Sequence, residues 1–110
     1  MVFIEKHHIV FKSQGGLDFD LNYKYLSALE HRGDHGPHKN KEVDDYYKAQ
    51  MERKLRDILV CDYYSVDELV DILKLKTKQA DRAFKRIKRG ANGIDRESVI
   101  FRLMGGKFYI

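Results

Sequence analysis

Apolar and polar positions alternate along the chain in two rhythms, one of strands and one of amphipathic helices. Phe3, Ile4, Ile9, Val10 and Phe11 make residues 3–11 read as a strand, which Ser13-Gln14-Gly15-Gly16 breaks. Residues 21–29 (Leu-Asn-Tyr-Lys-Tyr-Leu-Ser-Ala-Leu) read as a second strand, antiparallel to the first. Residues 32–36 are expected to form a loop. Pro37 then opens a helix, at a position where its missing N–H would have had no partner. Val43, Tyr47, Met51, Leu55 and Leu59 recur every four residues, with Tyr46 and Ile58 beside them, and carry that helix to about Val60. The first 60 residues therefore read β-β-α.

The remainder reads as helical. Ser65 is an N-cap that Glu68, three residues on, completes as a capping box. Val66, Leu69, Val70 and Leu73 form the buried face of that helix. Lys74-Leu75-Lys76 makes a short turn, and a second helix from Thr77 buries Ala80, Ala83, Phe84 and Ile87 before Gly90-Ala91-Asn92-Gly93 ends it. Asp95 caps a last helix, Arg96 to Met104, which Gly105-Gly106 stops. Lys107 to Ile110 is expected to be an edge strand or a loose tail. The fold class is thus α+β: a ββα unit over residues 1–60 and a small helical unit over residues 61–110.

At 110 residues the chain has room for one domain, or two very small ones sharing a core. Charged residues make up 35%, so the surface must be heavily charged. A single cysteine, Cys61, excludes an intrachain disulfide and a cysteine zinc ribbon, and is expected to be a small buried apolar residue. No apolar run approaches the roughly 18 residues of a membrane span, and Met1-Val2-Phe3-Ile4-Glu5-Lys6 lacks signal-peptide architecture, so a cytoplasmic protein with no membrane partner is expected. The formal charge of +4 changes the picture through its distribution. Residues 61–73 hold four acids and no base, whereas residues 74–89 hold eight bases and one acid. A basic helix facing phosphate has this pattern.

All five histidines, His7, His8, His31, His35 and His38, fall at or before position 38. Neutral imidazole ligates divalent metals and serves as a general base near neutral pH. Phosphodiester hydrolysis needs a deprotonated water, charge stabilisation on phosphoryl oxygens and stabilisation of the leaving oxygen. Adjacent histidines ending a strand allow one to hold a metal while the next faces water. An amide on the neighbouring strand can orient the base, and histidines at the start of the following helix can close the metal site. In a regular strand His7 and His8 point to opposite faces, so both reach one site only if the strand ends or curls there.

The ordered set His7-His8-Ile9-Val10-Phe11-Lys12-Ser13-Gln14-Gly15-Gly16, then Asn22-Tyr23-Lys24-Tyr25-Leu26, then His31, resembles the HNH nucleases of the ββα-metal or His-Me finger type. The likeness covers residues 4 to 55. It implies His8 as general base, Asn22 as the residue that orients it, and His7 and His31 as metal ligands. For the third ligand, His38 beside Pro37 is favoured, and His35 is the alternative, since its spacing from His31 resembles that of the nuclease colicins. The four flanking zinc-binding cysteines of many members are missing here. Histidine at position 7, where aspartate is commoner, moves the preference of the single divalent metal toward Zn, Ni or Mn over Mg.

Residues 65–87 resemble a helix-turn-helix motif, with Ala80 where the helices cross and Lys74 near the place of the usual turn glycine. The second helix would expose Lys78, Gln79, Arg82, Lys85 and Arg86 to phosphates and base edges; Lys12, Lys24 and Arg32 lie near the histidine motif as further phosphate contacts. Together the resemblances imply a metal-dependent endonuclease acting on double-stranded DNA as a monomer or homodimer, of phage or mobile-element type. The alternatives are a non-catalytic DNA-binding protein on a zinc-stabilised scaffold, a phage-encoded regulatory or inhibitor protein reusing the fold, and, for residues 65–87, a plain helical hairpin with a solvated basic face.

Overall fold

Strand β1 (Ile4–His8) pairs antiparallel with β2 (Tyr23–Ser27), with His7 opposite Lys24 and His8 opposite Tyr23. The computed structural model describes residues 3–110; Met1 and Val2 of the N-terminal segment lie outside them. Both strands are shorter than the apolar pattern predicts. β1 stops at His8 because the main chain turns inward there: Ile9 N–H donates to the Asn22 carbonyl at 2.8 Å, and Val10 N–H to its side-chain oxygen at 2.7 Å. Ile9 and Val10 are thereby buried as core residues rather than strand residues. A single 3-10 turn, Lys12–Gln14, follows.

β2 stops at Ser27 because Ser27 and Glu30 form a capping box, with Ser27 Oγ accepting from Glu30 N–H and Glu30 Oε1 from Ser27 N–H. That box starts a short helix, α1 (Ala28–Arg32), where strand and loop were expected. The signal is visible in the sequence as Ser27-Ala-Leu-Glu30, the same spacing as Ser65 to Glu68. The long helix α2 (Lys41–Ile58) begins four residues later than Pro37. Asn40 is its N-cap, accepting from the N–H groups of Glu42 and Val43, while Pro37 and His38 lie in the preceding turn.

Met51, Leu55 and Leu59 of the four-residue stripe are fully buried, but Tyr46 and Ile58 are exposed. In their stead α2 buries Lys48 and Glu52. The cause is the C-terminal segment, which is neither strand nor loose: Tyr109 N–H donates to Glu52 Oε1 at 2.6 Å, and Tyr109 packs against the core. Lys48 pairs with Asp44 at 2.7 Å and lies over the Phe11 ring at 4.4 Å.

After α2, a two-residue strand β3 (Tyr63–Tyr64) pairs antiparallel with β4 (Ile94–Asp95), a ribbon too short to show in the pattern. Cys61 is exposed, not buried: Tyr64 takes the core position, and its hydroxyl accepts the Cys61 N–H at 2.8 Å. Helices α3 (Val66–Leu73) and α4 (Thr77–Phe84) form a pair joined through Lys74, which adopts the left-handed conformation at φ 55°. α4 ends at Phe84, so Lys85 and Arg86 follow the helix rather than lie on it. Helix α5 (Arg96–Leu103) has Asp95 as N-cap and is followed by Gly105 and Gly106 at positive φ.

Among the described residues the fold is mixed α+β, with two small antiparallel sheets and five α-helices. One cluster of buried residues runs through it, from Val10, Leu17 and Phe19 across Met51 and Leu55 to Leu69, Phe84, Val99 and Leu103. Arg96 joins the two parts of the chain further by donating to the carbonyls of Arg56 and Leu59 at the C-terminal end of α2. Among the described residues no helix is long and apolar enough to cross a membrane.

Gly16 fits this packing only without a side chain, because a Cβ there would lie 1.8 Å from the Val10 carbonyl oxygen. Gly16→Ala is expected to cost about 2–4 kcal/mol, while Gly90→Ala, with nothing within 4 Å, stays near wild type. Urea unfolding of the two variants checks this, and equal midpoints would refute it.

Candidate metal centre and its neighbours

Strand alternation places Glu5 and His7 on one face of β1, and His31 of α1 sits across from both. His31 Nδ1 lies 2.9 Å from Glu5 Oε1, and His31 Nε2 lies 3.1 Å from His7 Nδ1 and 2.9 Å from His38 Nε2. An ionised carboxylate only accepts, so His31 carries its proton on Nδ1 and turns its Nε2 lone pair toward the other two rings. Arg32 completes the support with a 2.7 Å ion pair to Glu5. Hydrogen bonding from His31, with help from Arg32, holds the Glu5 carboxyl below its usual range.

His38 reaches His31 through a doubled-back turn. Gly36 N–H bonds Gly33 O, and Lys39 and Asn40 N–H both bond Gly36 O. A Cβ on Gly36 would lie 2.5 Å from the His31 carbonyl oxygen, so this close return of the chain requires glycine. Phe11 walls the site, its ring tilted against His38 at 4.9 Å and meeting His7 edge-on at 5.6 Å.

One nitrogen each of His7, His31 and His38 lies within 4.8 Å of the others. Protons alone satisfy this cluster poorly, since the one lone pair of His31 Nε2 cannot serve two N–H donors equally. A divalent cation accepts all three lone pairs at once. Tetrahedral imidazole ligation at the usual Zn–N length separates nitrogens by about 3.3 Å, close to the two shorter spacings here. The outward N–H of His31 bonded to a carboxylate is the usual support of a metal-bound histidine. The residues present therefore fit a metal, with an all-imidazole donor set suited to zinc or nickel.

His8 points away from this trio. Its Nε2 lies 2.7 Å from Asp18 Oδ1, and its ring meets Tyr23 edge-on at 5.3 Å. The bond to His8 holds the Asp18 carboxyl below its usual range. His7 and His8 still border one shallow cavity of about 220 Å³, with Phe11, Lys12, His31, His38 and Lys6 completing its lining. They do so because the strand ends at His8.

Asn22 is fully buried, and none of its side-chain hydrogen bonds goes to His8. Its amide accepts from Val10 N–H and donates to the carbonyls of Val10 (3.1 Å) and Leu17 (2.8 Å), fixing the main chain just beyond His8. The side chain that does hold His8 is Asp18, which the sequence analysis missed; its only signal was an acid between two apolar residues, Leu17 and Phe19. Glu5 was missed too, although its i, i+2 relation to His7 was readable. His35 lies apart, beside Leu29, Asp34, Val43 and Tyr47. Lys12 lines the cavity, whereas Arg32 is paired with Glu5 and Lys24 lies over the Tyr47 ring. Lys78, Arg82, Lys85 and Arg86 are exposed, the last three bordering one surface hollow with Arg102. Gln79 is not free on that face: its amide is bonded to the main chain of Asp18.

No protein-family model, curated protein or solved structure matches the chain.

Burial, with the neighbouring His31, His38 and Lys48, pushes His7 from 6.5 down to about 4. Between those values the unfolded chain binds the proton and the folded one does not, so stability rises with pH there. Urea midpoints of the metal-free protein in chelator are expected to fall as pH drops from 6.5 to about 4. His7→Gln should flatten that slope; an unchanged slope would refute the assignment.

Proposed function

We propose that the protein is a metal-dependent endonuclease of HNH type that hydrolyses phosphodiester bonds of double-stranded DNA. The observation that carries this reading is the shared cavity: a three-histidine donor set and a separate histidine, His8, whose ring is held from behind by Asp18, open onto the same 220 Å³ hollow, beside Lys6 and Lys12.

His7, His31 and His38 would hold the ion, with Glu5 keeping His31 in the ligating tautomer. A bound divalent ion supplies charge stabilisation to the phosphoryl oxygens and the departing 3′-oxygen. His8 donates Nε2–H to Asp18, which leaves its Nδ1 lone pair as the base. That nitrogen takes a proton from water as the water oxygen attacks phosphorus. The bond from phosphorus to the 3′-oxygen breaks, and that oxygen takes a proton from solvent, while His8 later returns its own. Asp18 stabilises the imidazolium formed in between. Asn22 acts on this arrangement through the main chain, by ending β1 at His8 and closing the loop that presents Asp18. Lys12 and Lys6 meet phosphate at the cavity rim, and Lys78, Arg82, Lys85 and Arg86 meet the backbone of the duplex farther off.

Incubation of plasmid with the protein and Mg, Mn, Ni or Zn is expected to give cleavage that His8→Ala slows roughly 10²–10⁴-fold. Absence of cleavage with every metal would sink the reading. In the basic segment, Arg82→Glu with Lys85→Glu is expected to weaken duplex binding and lower the log–log salt slope by about 2. Fluorescence anisotropy across a salt series measures both, and unchanged affinity would leave α3 and α4 a plain helical hairpin.

A further inference from the structure

Gln79 stands on α4 between the exposed Lys78 and the buried Ala80, 61 positions along the chain from Asp18. Its amide is committed at both ends to that one residue. Gln79 Oε1 accepts from Asp18 N–H at 2.7 Å, and Gln79 Nε2 donates to Asp18 O at 3.0 Å. The two bonds form a clamp on the main chain, and a clamp at two points fixes orientation as well as position. Asp18 in turn directs Oδ1 at His8 Nε2, 2.7 Å away, with Lys12 Nζ 3.6 Å from the other oxygen.

The segment around Asp18 has few other means of holding that carboxylate still. Leu17 and Phe19 are buried and point into the core, so Asp18 between them faces outward, toward His8. Leu17 is tied by the Asn22 amide, whereas the main chain of Asp18 is bonded to Gln79. The tie comes from the helix that carries Lys78 and Arg82, both exposed.

Resting on the endonuclease reading, we propose that Gln79 is a positioning residue that couples the basic helix α4 to the His8–Asp18 pair, so that duplex bound along α4 meets a base already set in its working tautomer. Gln79 touches neither metal donors nor the cavity, and acts only through Asp18. The coupling runs from the Gln79 amide through two hydrogen bonds to the Asp18 main chain, and from the Asp18 carboxylate through one more to His8.

The test uses the full chain with Gln79→Met, which keeps the length of the side chain and loses both bonds, beside Gln79→Ala. Steady-state cleavage of plasmid with Mn is expected to show kcat reduced at least about tenfold, with KM for plasmid within about twofold of wild type. Long-range ¹H–¹⁵N spectra of the metal-free protein at neutral pH are expected to show His8 protonated on Nε2 in wild type. In both Gln79 variants the tautomers should be mixed, with the His31 signals unmoved. A merely structural glutamine would lower the melting temperature without this selective change at His8. Wild-type kcat together with a wild-type His8 tautomer in Gln79→Met would overturn the proposal. If the wild-type protein cleaves no DNA, the endonuclease reading falls on its own, and the tautomer comparison decides the clamp.

Discussion

The buried amide of Asn22 satisfies three main-chain groups, the N–H and carbonyl of Val10 and the carbonyl of Leu17, while its own carbonyl takes the N–H of Ile9. Removing that side chain would leave three buried polar groups without partners, at about 1–3 kcal/mol each. No other residue type offers one acceptor and two donors in so small a volume. The consequences spread outward. β1 ends at His8, the Gly16 turn closes against Val10, and Leu17 and Phe19 enter the core with Asp18 facing out. Two adjacent histidines that a regular strand would send to opposite faces come to border one cavity.

Around that pinned loop the molecule is assembled by polar groups that reach between distant segments. Arg96 satisfies the last carbonyls of α2, Arg102 bonds the carbonyls of Ala83 and Gly15, and Glu52 takes the Tyr109 N–H. Each joins parts of the chain that local pattern alone would leave independent. With 35% of residues charged, the chain uses several of its charges as struts rather than as solvated surface. Such charges are worth most where they meet otherwise orphaned main-chain groups.

Much of the fold and of the candidate site was legible in the sequence, and the limits have physical causes. The stripe of Met51, Leu55 and Leu59 and the capping boxes are local signals, and α2, α3, α4 and α5 follow them. The grouping of His7 with His31 was an implication of the family resemblance, with His38 favoured over His35 as the third member, and the three side chains do lie together. Errors fell where tertiary contact overrides local preference. Apolar residues at 9–11 read as strand because burial in a loop and burial in a sheet look alike in one dimension. Nothing local reveals that Lys48 and Glu52 are buried, because Tyr109 returns from the end of the chain to Glu52. Cys61 read as core because small apolar residues usually are, yet Tyr64 outcompetes it for the position.

By itself the sequence determined the helices α2 to α5 and which residues are capable of the chemistry, because periodicity, caps and the basicity of imidazole are local properties, whereas β3, β4 and the end of β1 depend on contacts between distant segments. Only the tertiary structure decided how those residues are oriented: Glu5 on His31, Asp18 on His8, and Gln79 withdrawn from the surface to hold Asp18. These choices depend on which lone pair faces which proton within about 3 Å, and the spacing of residues along the chain does not encode that distance.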